Sequence, residues 1–191
     1  MSTATKLMTA EEFLALPDDG VERWLIRGEL REKQDTDMTM RNKVHSITEA
    51  RVTARLGRWL ETQPQPRGEV VCGEAGFLLR QNPDTVSAGA DVAIITAAQA
   101  DARSPDTTLV EGPAVMIAEI LSPNDTTEEV VERVEEYLAC GVRLVWVINP
   151  DFGTVAVHRP GAEPVQFNRT QTITGDPELP GFSCPVADFF R

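Results

Sequence analysis

Two short apolar runs, each interrupted by a single carboxylate, constrain this chain more than any other feature. Asp91 stands in Ala88-Gly89-Ala90-Asp91-Val92-Ala93-Ile94-Ile95, and Glu119 in Ala114-Val115-Met116-Ile117-Ala118-Glu119-Ile120-Leu121. Apolar runs of this length, bounded by turn residues, predict buried strands. A carboxylate inside such a strand costs on the order of several kcal/mol unless it is paired, protonated or bound to a cation. Taken singly, each acid has an ordinary structural role: Asp91 as a backbone acceptor at a strand entry, Glu119 as the partner of an arginine. Together, on successive strands, they point to a shared ligand, and a divalent metal ion fits.

The rest of the chain predicts how those strands are covered. Thr9-Ala10-Glu11-Glu12 is a capping box that opens a short helix ending before Pro17. Pro17-Asp18-Asp19-Gly20 is a turn, and Arg23–Ile26 and Glu29–Glu32 flank Arg27-Gly28 as an antiparallel hairpin. Val44–Thr62 predicts a long helix with Val52, Leu56, Trp59 and Leu60 inward and Arg51, Arg55 and Arg58 along another side. His45 and Glu49, four residues apart, project towards the apolar stripe. Strands are expected over Glu69–Arg80, Thr85–Thr96 and Val115–Leu121, then a polar connection over 97–113 precedes the last of these. A second helix spans Thr126–Cys140, with Val130, Val131, Val134, Tyr137 and Leu138 inward and Gly141 as its stop. Leu144–Ile148 reads as a central strand, Thr154–His158 and Pro164–Asn168 as further strands, and the remainder as a turn-rich tail ending in Val186–Phe190. Strands and helices in this order predict an α/β (α+β) sandwich.

Composition narrows the function classes. A net charge of −12 and a pI near 4.6 disfavour tight non-specific binding to nucleic acid, although a local basic face such as Arg51, Arg55 and Arg58 can still meet phosphates. The first twenty residues lack the basic start and apolar core of a signal peptide, and no apolar segment is long enough to span a bilayer, so the expectation is cytoplasmic, with no membrane partner. Three cysteines without ligand spacing, Cys72, Cys140 and Cys184, read as reduced and mostly core thiols. Two distant histidines, His45 and His158, argue against a structural zinc site.

The chemistry that suits buried paired carboxylates is phosphodiester hydrolysis assisted by a divalent ion. Asp91 and Glu119 are the candidate metal ligands, with the Ile120 carbonyl as a natural third. Glu49 completes the acidic set, and His45 beside it orients a water or a phosphate. The ordinary role for His45 is capping or packing, and for Glu49 it is the edge of an amphipathic helix.

The motifs taken in order resemble the Uma-two family, described as putative restriction endonucleases, within the PD-(D/E)XK nuclease superfamily. The resemblance runs from Thr9–Leu14 and Leu25–Leu30 through Gly73–Phe77, Asp91-Val92-Ala93 and Glu119-Ile120-Leu121-Ser122-Pro123. It continues through Glu136–Val142 and Val145–Pro150 to Leu179-Pro180-Gly181-Phe182. It implies a restriction-endonuclease-like fold, a mixed central sheet flanked by helices, forming one domain over 1–191: an N-terminal helix and hairpin over 1–40, a core over 41–160 and a C-terminal strand and tail over 161–191. It also implies Mg²⁺ (or Mn²⁺) at Asp91 and Glu119, the family's first and second acids, with nucleic acid, DNA in particular, as substrate and a homodimer as the default assembly. One element departs. The superfamily's usual lysine position, two residues after the second acid, is Leu121, and the family's alternative on the following helix is Arg133. The only lysines are Lys6, Lys33 and Lys43, so none follows the motif acids. Arginine keeps the charge that braces a phosphate or attacking water but does not act as a base. Its ordinary role at this position is a surface ion pair with Glu129 and Glu136. The rival expectation is therefore a catalytically inactive nuclease fold used as a binding or assembly module, and a weaker one is a hydrolase of small phosphate esters.

Overall fold

The computed structural model describes residues 7–17, 19–21, 23–32, 42–87, 89–102 and 108–191. Asp18 of the expected turn, Ala88 of the Asp91 run, and Lys6 and Lys33 lie outside the described residues.

Thr9 caps α1 (Ala10–Leu14) through the expected reciprocal box with Glu12. Strands β1 (Arg23–Ile26) and β2 (Glu29–Glu32) pair antiparallel around Arg27-Gly28, both at positive φ, as a tight two-residue turn requires. Asn42 caps α2 (Lys43–Glu61) by accepting from the His45 N–H. There follow β3 (Glu69–Ala75), β4 (Phe77–Arg80), β5 (Thr85–Val86), β6 (Ala90–Ile95), α3 (Ala97–Asp101), β7 (Val110–Glu111) and β8 (Met116–Ile120). The chain continues with α4 (Thr127–Ala139), β9 (Leu144–Asn149), β10 (Thr154–His158), β11 (Val165–Asn168), β12 (Thr172–Gly175) and β13 (Leu179–Pro185), ending in a 3₁₀ turn over Val186–Phe189.

The organising element is a six-stranded mixed sheet in the order β11-β10-β9-β8-β6-β3, with β8 and β9 parallel and joined through α4. Alternation along the strands gives it two apolar faces. Val92, Ile94, Met116, Ala118, Leu144, Trp146 and Ile148 pack under Val52 and Leu56 of α2. Ala93, Ile95, Ile117, Val145 and Val147 pack under Val134 and Tyr137 of α4. A smaller sheet, β2-β1-β5-β4-β7, carries Leu25, Leu78 and Val86 into a third cluster with Ala10 of α1.

Three expectations are corrected. The run Glu69–Arg80 is not one strand: β3 belongs to the large sheet and β4 to the small one. A bulge separates Cys72 from Ala75, with Gly73 at φ +77° and Glu74 at φ +66°, a backbone turn that ends straight pairing. The run Thr85–Thr96 divides in the same way into β5 and β6, around Gly89 at φ +112°. The C-terminal tail is a hairpin of β12 and β13, and Ile173, Leu179, Phe182 and Cys184 join the core beneath α2. The Trp59 indole N–H fastens α2 to that hairpin by donating to the Pro180 carbonyl at 3.0 Å. Two smaller readings also change: Val131 is exposed on α4 rather than inward, and Cys72 lies at the surface while Cys184 is buried.

Candidate metal centre

Asp91 and Glu119 are both buried, at 4% and 5% exposure, as a carboxylate within an apolar strand predicts. The antiparallel ladder sets Val92 opposite Ala118 and Ala93 opposite Ile117, so its next step brings Asp91 opposite Glu119. There the ladder gives way to a side chain: the Ile120 N–H donates to Asp91 Oδ2 at 2.7 Å. The expected backbone-acceptor role of Asp91 is therefore present, but the N–H comes from the neighbouring strand rather than from its own strand entry.

From the other side α2 brings its first turn against the same carboxylate. His45 is 1% exposed and sets Nε2 3.3 Å from Asp91 Oδ2. Its Nδ1 stands 3.9 Å from Glu49 Oε2, beyond hydrogen-bond reach, and has no hydrogen-bond partner among the described residues. Glu49 is fixed through its other oxygen, which accepts the Gly73 N–H at 2.9 Å. The bulge that ends β3 thus also locks α2 to the sheet. Among the described residues, donor atoms of His45, Glu49 and Asp91 converge to within 4.8 Å of one another. Glu119 is not in that group.

Glu119 faces α4 instead. The Tyr137 hydroxyl donates to Glu119 Oε1 at 2.9 Å. Burial pushes the Glu119 carboxyl up to about 7; the Arg133 charge opposes this, the Asp91 charge adds to it, and the Tyr137 bond opposes it. Burial and the adjacent Glu119 also raise the Tyr137 hydroxyl well above its usual range. Arg133, at the edge of the apolar stripe of α4, lies largely buried rather than out on the helix surface. Its side chain is only 11% exposed and lies 3.5 Å from Asp125, itself anchored by accepting the Ser122 N–H at 2.6 Å. The turn after β8 therefore folds an acid back onto the helix that follows it.

Glu136 turns to the next face of α4. It takes Arg27 at 3.0 Å, Arg80, the Thr85 hydroxyl at 3.1 Å and the Cys140 thiol at 3.5 Å. Burial alone would raise its carboxyl, but these donors outweigh it and hold the group below the ordinary value. This cluster joins α4 to the small sheet.

Sequence reasoning missed Tyr137 as more than a core residue, and it missed Asp125 altogether. The available signals were the four-residue spacing of Arg133 and Tyr137, which puts both on one helix face, and the acid three residues beyond Ser122.

The elevated Glu119 carboxyl has a measurable consequence. A group whose folded value exceeds its unfolded value of 4.5 withdraws stability as pH rises between the two, here from about 4.5 to about 7. Metal-free Glu119→Gln should therefore melt higher than wild type at pH 8, by roughly 1–3 kcal/mol, and nearly equally at about pH 4, below that window. Thermal melts at the two pH values check this, and an equal gap at both would assign the effect to packing rather than charge.

Among known proteins, a family model with the description "Putative restriction endonuclease", Uma2, matches residues 10–187. No curated protein matches the chain. Among solved structures, the fold is similar to the crystal structure of "a putative nuclease belonging to DUF820" from Anabaena variabilis ATCC 29413. That comparison has a TM-score of 0.76 at 20% identity and covers 96% of this chain and 97% of that one. The fold is thus the restriction-endonuclease-like α+β arrangement expected from the motifs, and the matched span takes in both acids, Arg133 and both long helices: the chain belongs to the Uma2 family.

Proposed function

We propose that the protein is a metal-dependent endonuclease that hydrolyses phosphodiester bonds of nucleic acid, DNA in particular, as one nuclease-like domain over residues 1–191. Asp91 and Glu119 hold Mg²⁺ (or Mn²⁺) with the Ile120 carbonyl, and Arg133 replaces the usual lysine. The observation that supports this most is the buried Asp91 carboxylate, approached from α2 by His45 and lying across the strand pair from the equally buried Glu119, one step past the paired Val92 and Ala118. Hard oxygen donors suit a divalent ion. When bound, such an ion lowers the pKa of a water and takes up charge on the phosphate.

The residues around it have separate tasks. Arg133, on the Glu119 side of α4, supplies positive charge for phosphate oxygens and is steered by Asp125. Tyr137 holds the rotamer of Glu119. His45, fixed by Asp91, and Glu49, fixed by Gly73, close the opposite wall and orient a water. The cytoplasm and a homodimer belong to the same proposal; among the described residues no helix is long and apolar enough to cross a membrane.

The test is incubation of the purified chain with plasmid DNA and with RNA, in Mg²⁺ and in Mn²⁺, beside an Arg133→Lys and an Arg133→Met variant. Arg133→Lys should retain cleavage and Arg133→Met should lose roughly a hundredfold. The second reading is an inactive binding or assembly module, favoured by the tie of Arg133 to Asp125 and the −12 charge. Intact folding with no cleavage in either metal, and none recovered in Arg133→Lys, would establish it over the first.

A further inference from the structure

We infer that the flank of α2 bearing Arg51, Arg55 and Arg58, continued by Arg191 and Arg169, is the surface on which the phosphate backbone of double-stranded DNA lies. The inference rests on nucleic acid as the substrate, as proposed above, and names the surface that receives it.

Residues 51, 55 and 58 fall on one flank of a 3.6-residue helix. The opposite flank is the one that Glu49 ties to Gly73. Folding adds two arginines that the helical period does not report. Asp188, in the 3₁₀ turn after β13, takes Arg55 at 3.0 Å and Arg191 at 3.8 Å. Arg169, just past β11, lies over the Phe190 ring at 5.2 Å from its centre. Both arginines on Asp188 stay open to water, at 37% and 78% side-chain exposure, so they keep donors for a further anion. Neither Arg51 nor Arg58 has an ion-pair partner among the described residues. Five arginines thus gather about one carboxylate in a chain whose net charge is −12. A local excess of this kind is the electrostatic footprint of an extended anion.

Shape and chemistry then select the partner. Beside the arginines the outward face of α2 is small and uncharged: Ser46, Ala50 and Ala54 are exposed, and a side chain at Gly57 would meet nothing within 4 Å. A sugar-phosphate backbone can therefore come close. A second copy docked through the same face would set arginines against arginines, which disfavours it. Single strands bind on aromatic platforms, and Trp59 is turned away from that task, donating to the Pro180 carbonyl and packing edge-on against Phe182. The three helical arginines span about 10 Å of axis, the length occupied by about three phosphates along one strand of a duplex. His45 stands in the first turn of the same helix, so a backbone on this flank leads to Asp91. Contacts of this kind position a duplex without reading its sequence.

The experiment is fluorescence anisotropy of a labelled DNA duplex titrated with the full-length chain in EDTA, over a series of NaCl concentrations. Wild type should bind at low salt and release as salt rises. Arg51→Glu/Arg58→Glu should lose at least about tenfold in affinity at low salt and flatten the logarithmic salt slope by about two, while the melting temperature holds. Asp188→Asn should move the other way and tighten binding severalfold, because Arg55 and Arg191 lose the carboxylate that competes with phosphate. Arg143→Glu, exposed after α4, is the control and should leave binding little changed. No duplex binding by wild type, or equal losses in Arg51→Glu/Arg58→Glu and Arg143→Glu, overturns the inference. A single-stranded oligonucleotide bound as tightly as the duplex also overturns it. Duplex binding that depends on Arg51 and Arg58, with no cleavage in Mg²⁺ or Mn²⁺, supports the surface and ends the nuclease reading. Cleavage at limiting DNA that Arg51→Glu/Arg58→Glu leaves unaffected does the reverse.

Discussion

Asp91→Ala is expected to abolish the rise in melting temperature that Mn²⁺ or Mg²⁺ gives the wild type, and to lower cleavage roughly a thousandfold. The size follows from position. Asp91 is contacted both by α2, through His45, and by β8, through the Ile120 N–H. Its loss removes the shared anion from both walls of the site. A ligand at a hundred times its dissociation constant stabilises a folded chain by about 2.7 kcal/mol, so the lost increment is well within the reach of a thermal melt. Asp91→Asn serves as the companion, because an amide oxygen still accepts from Ile120 while the charge is gone. Metal responses that are equal in wild type and Asp91→Ala would refute Asp91 as a ligand.

The second large effect lies away from the acids. Glu136→Ala should destabilise the fold by about 2–3 kcal/mol, a shift of roughly 5–10 °C for a chain of this size. Removing one member of a buried ionic cluster leaves the others without their counter-charge. The cost stays at the lower end here because Arg27 and Arg80, at 60% and 34% side-chain exposure, regain water easily. The pH dependence separates charge from packing. Glu136 is held below its ordinary value of 4.5, so its contribution is complete above that value and fades as pH falls through the folded one. The gap between wild type and variant should therefore narrow below about pH 4.5 in acid titrations followed by circular dichroism. A gap independent of pH would show that Glu136 acts through its volume. Since α4 also carries Arg133 and Tyr137, loosening its tie to the small sheet should weaken cleavage as well.

The contrast between Arg133 and Glu136 shows how far a helix can be read from its sequence. Three residues apart, they make a plausible surface pair on an isolated helix. In the folded chain each has a better partner from elsewhere: Asp125 for Arg133, and Arg27 with Arg80 for Glu136. Arg27 and Glu136 are 109 residues apart, and no local periodicity reports a contact at that separation.

What the sequence determined by itself is local and periodic. The Thr9 capping box, the β1–β2 register about Arg27-Gly28, the extents of α2 and α4, and the inward turn of His45 all follow from short-range stereochemistry and from which residues avoid water. The burial of Asp91 and Glu119 follows as well, because their neighbours leave those strands no solvent face. Tertiary structure decided the rest. It split Glu69–Arg80 and Thr85–Thr96 between two sheets, since a bulge reassigns strand partners without changing the apolar pattern that marks a strand. It folded the C-terminal hairpin into the core under α2, and it gave Glu119 to Tyr137 and Asp91 to His45. Those choices rest on hydrogen bonds between distant segments, whose energies depend on where the whole sheet brings each donor and acceptor.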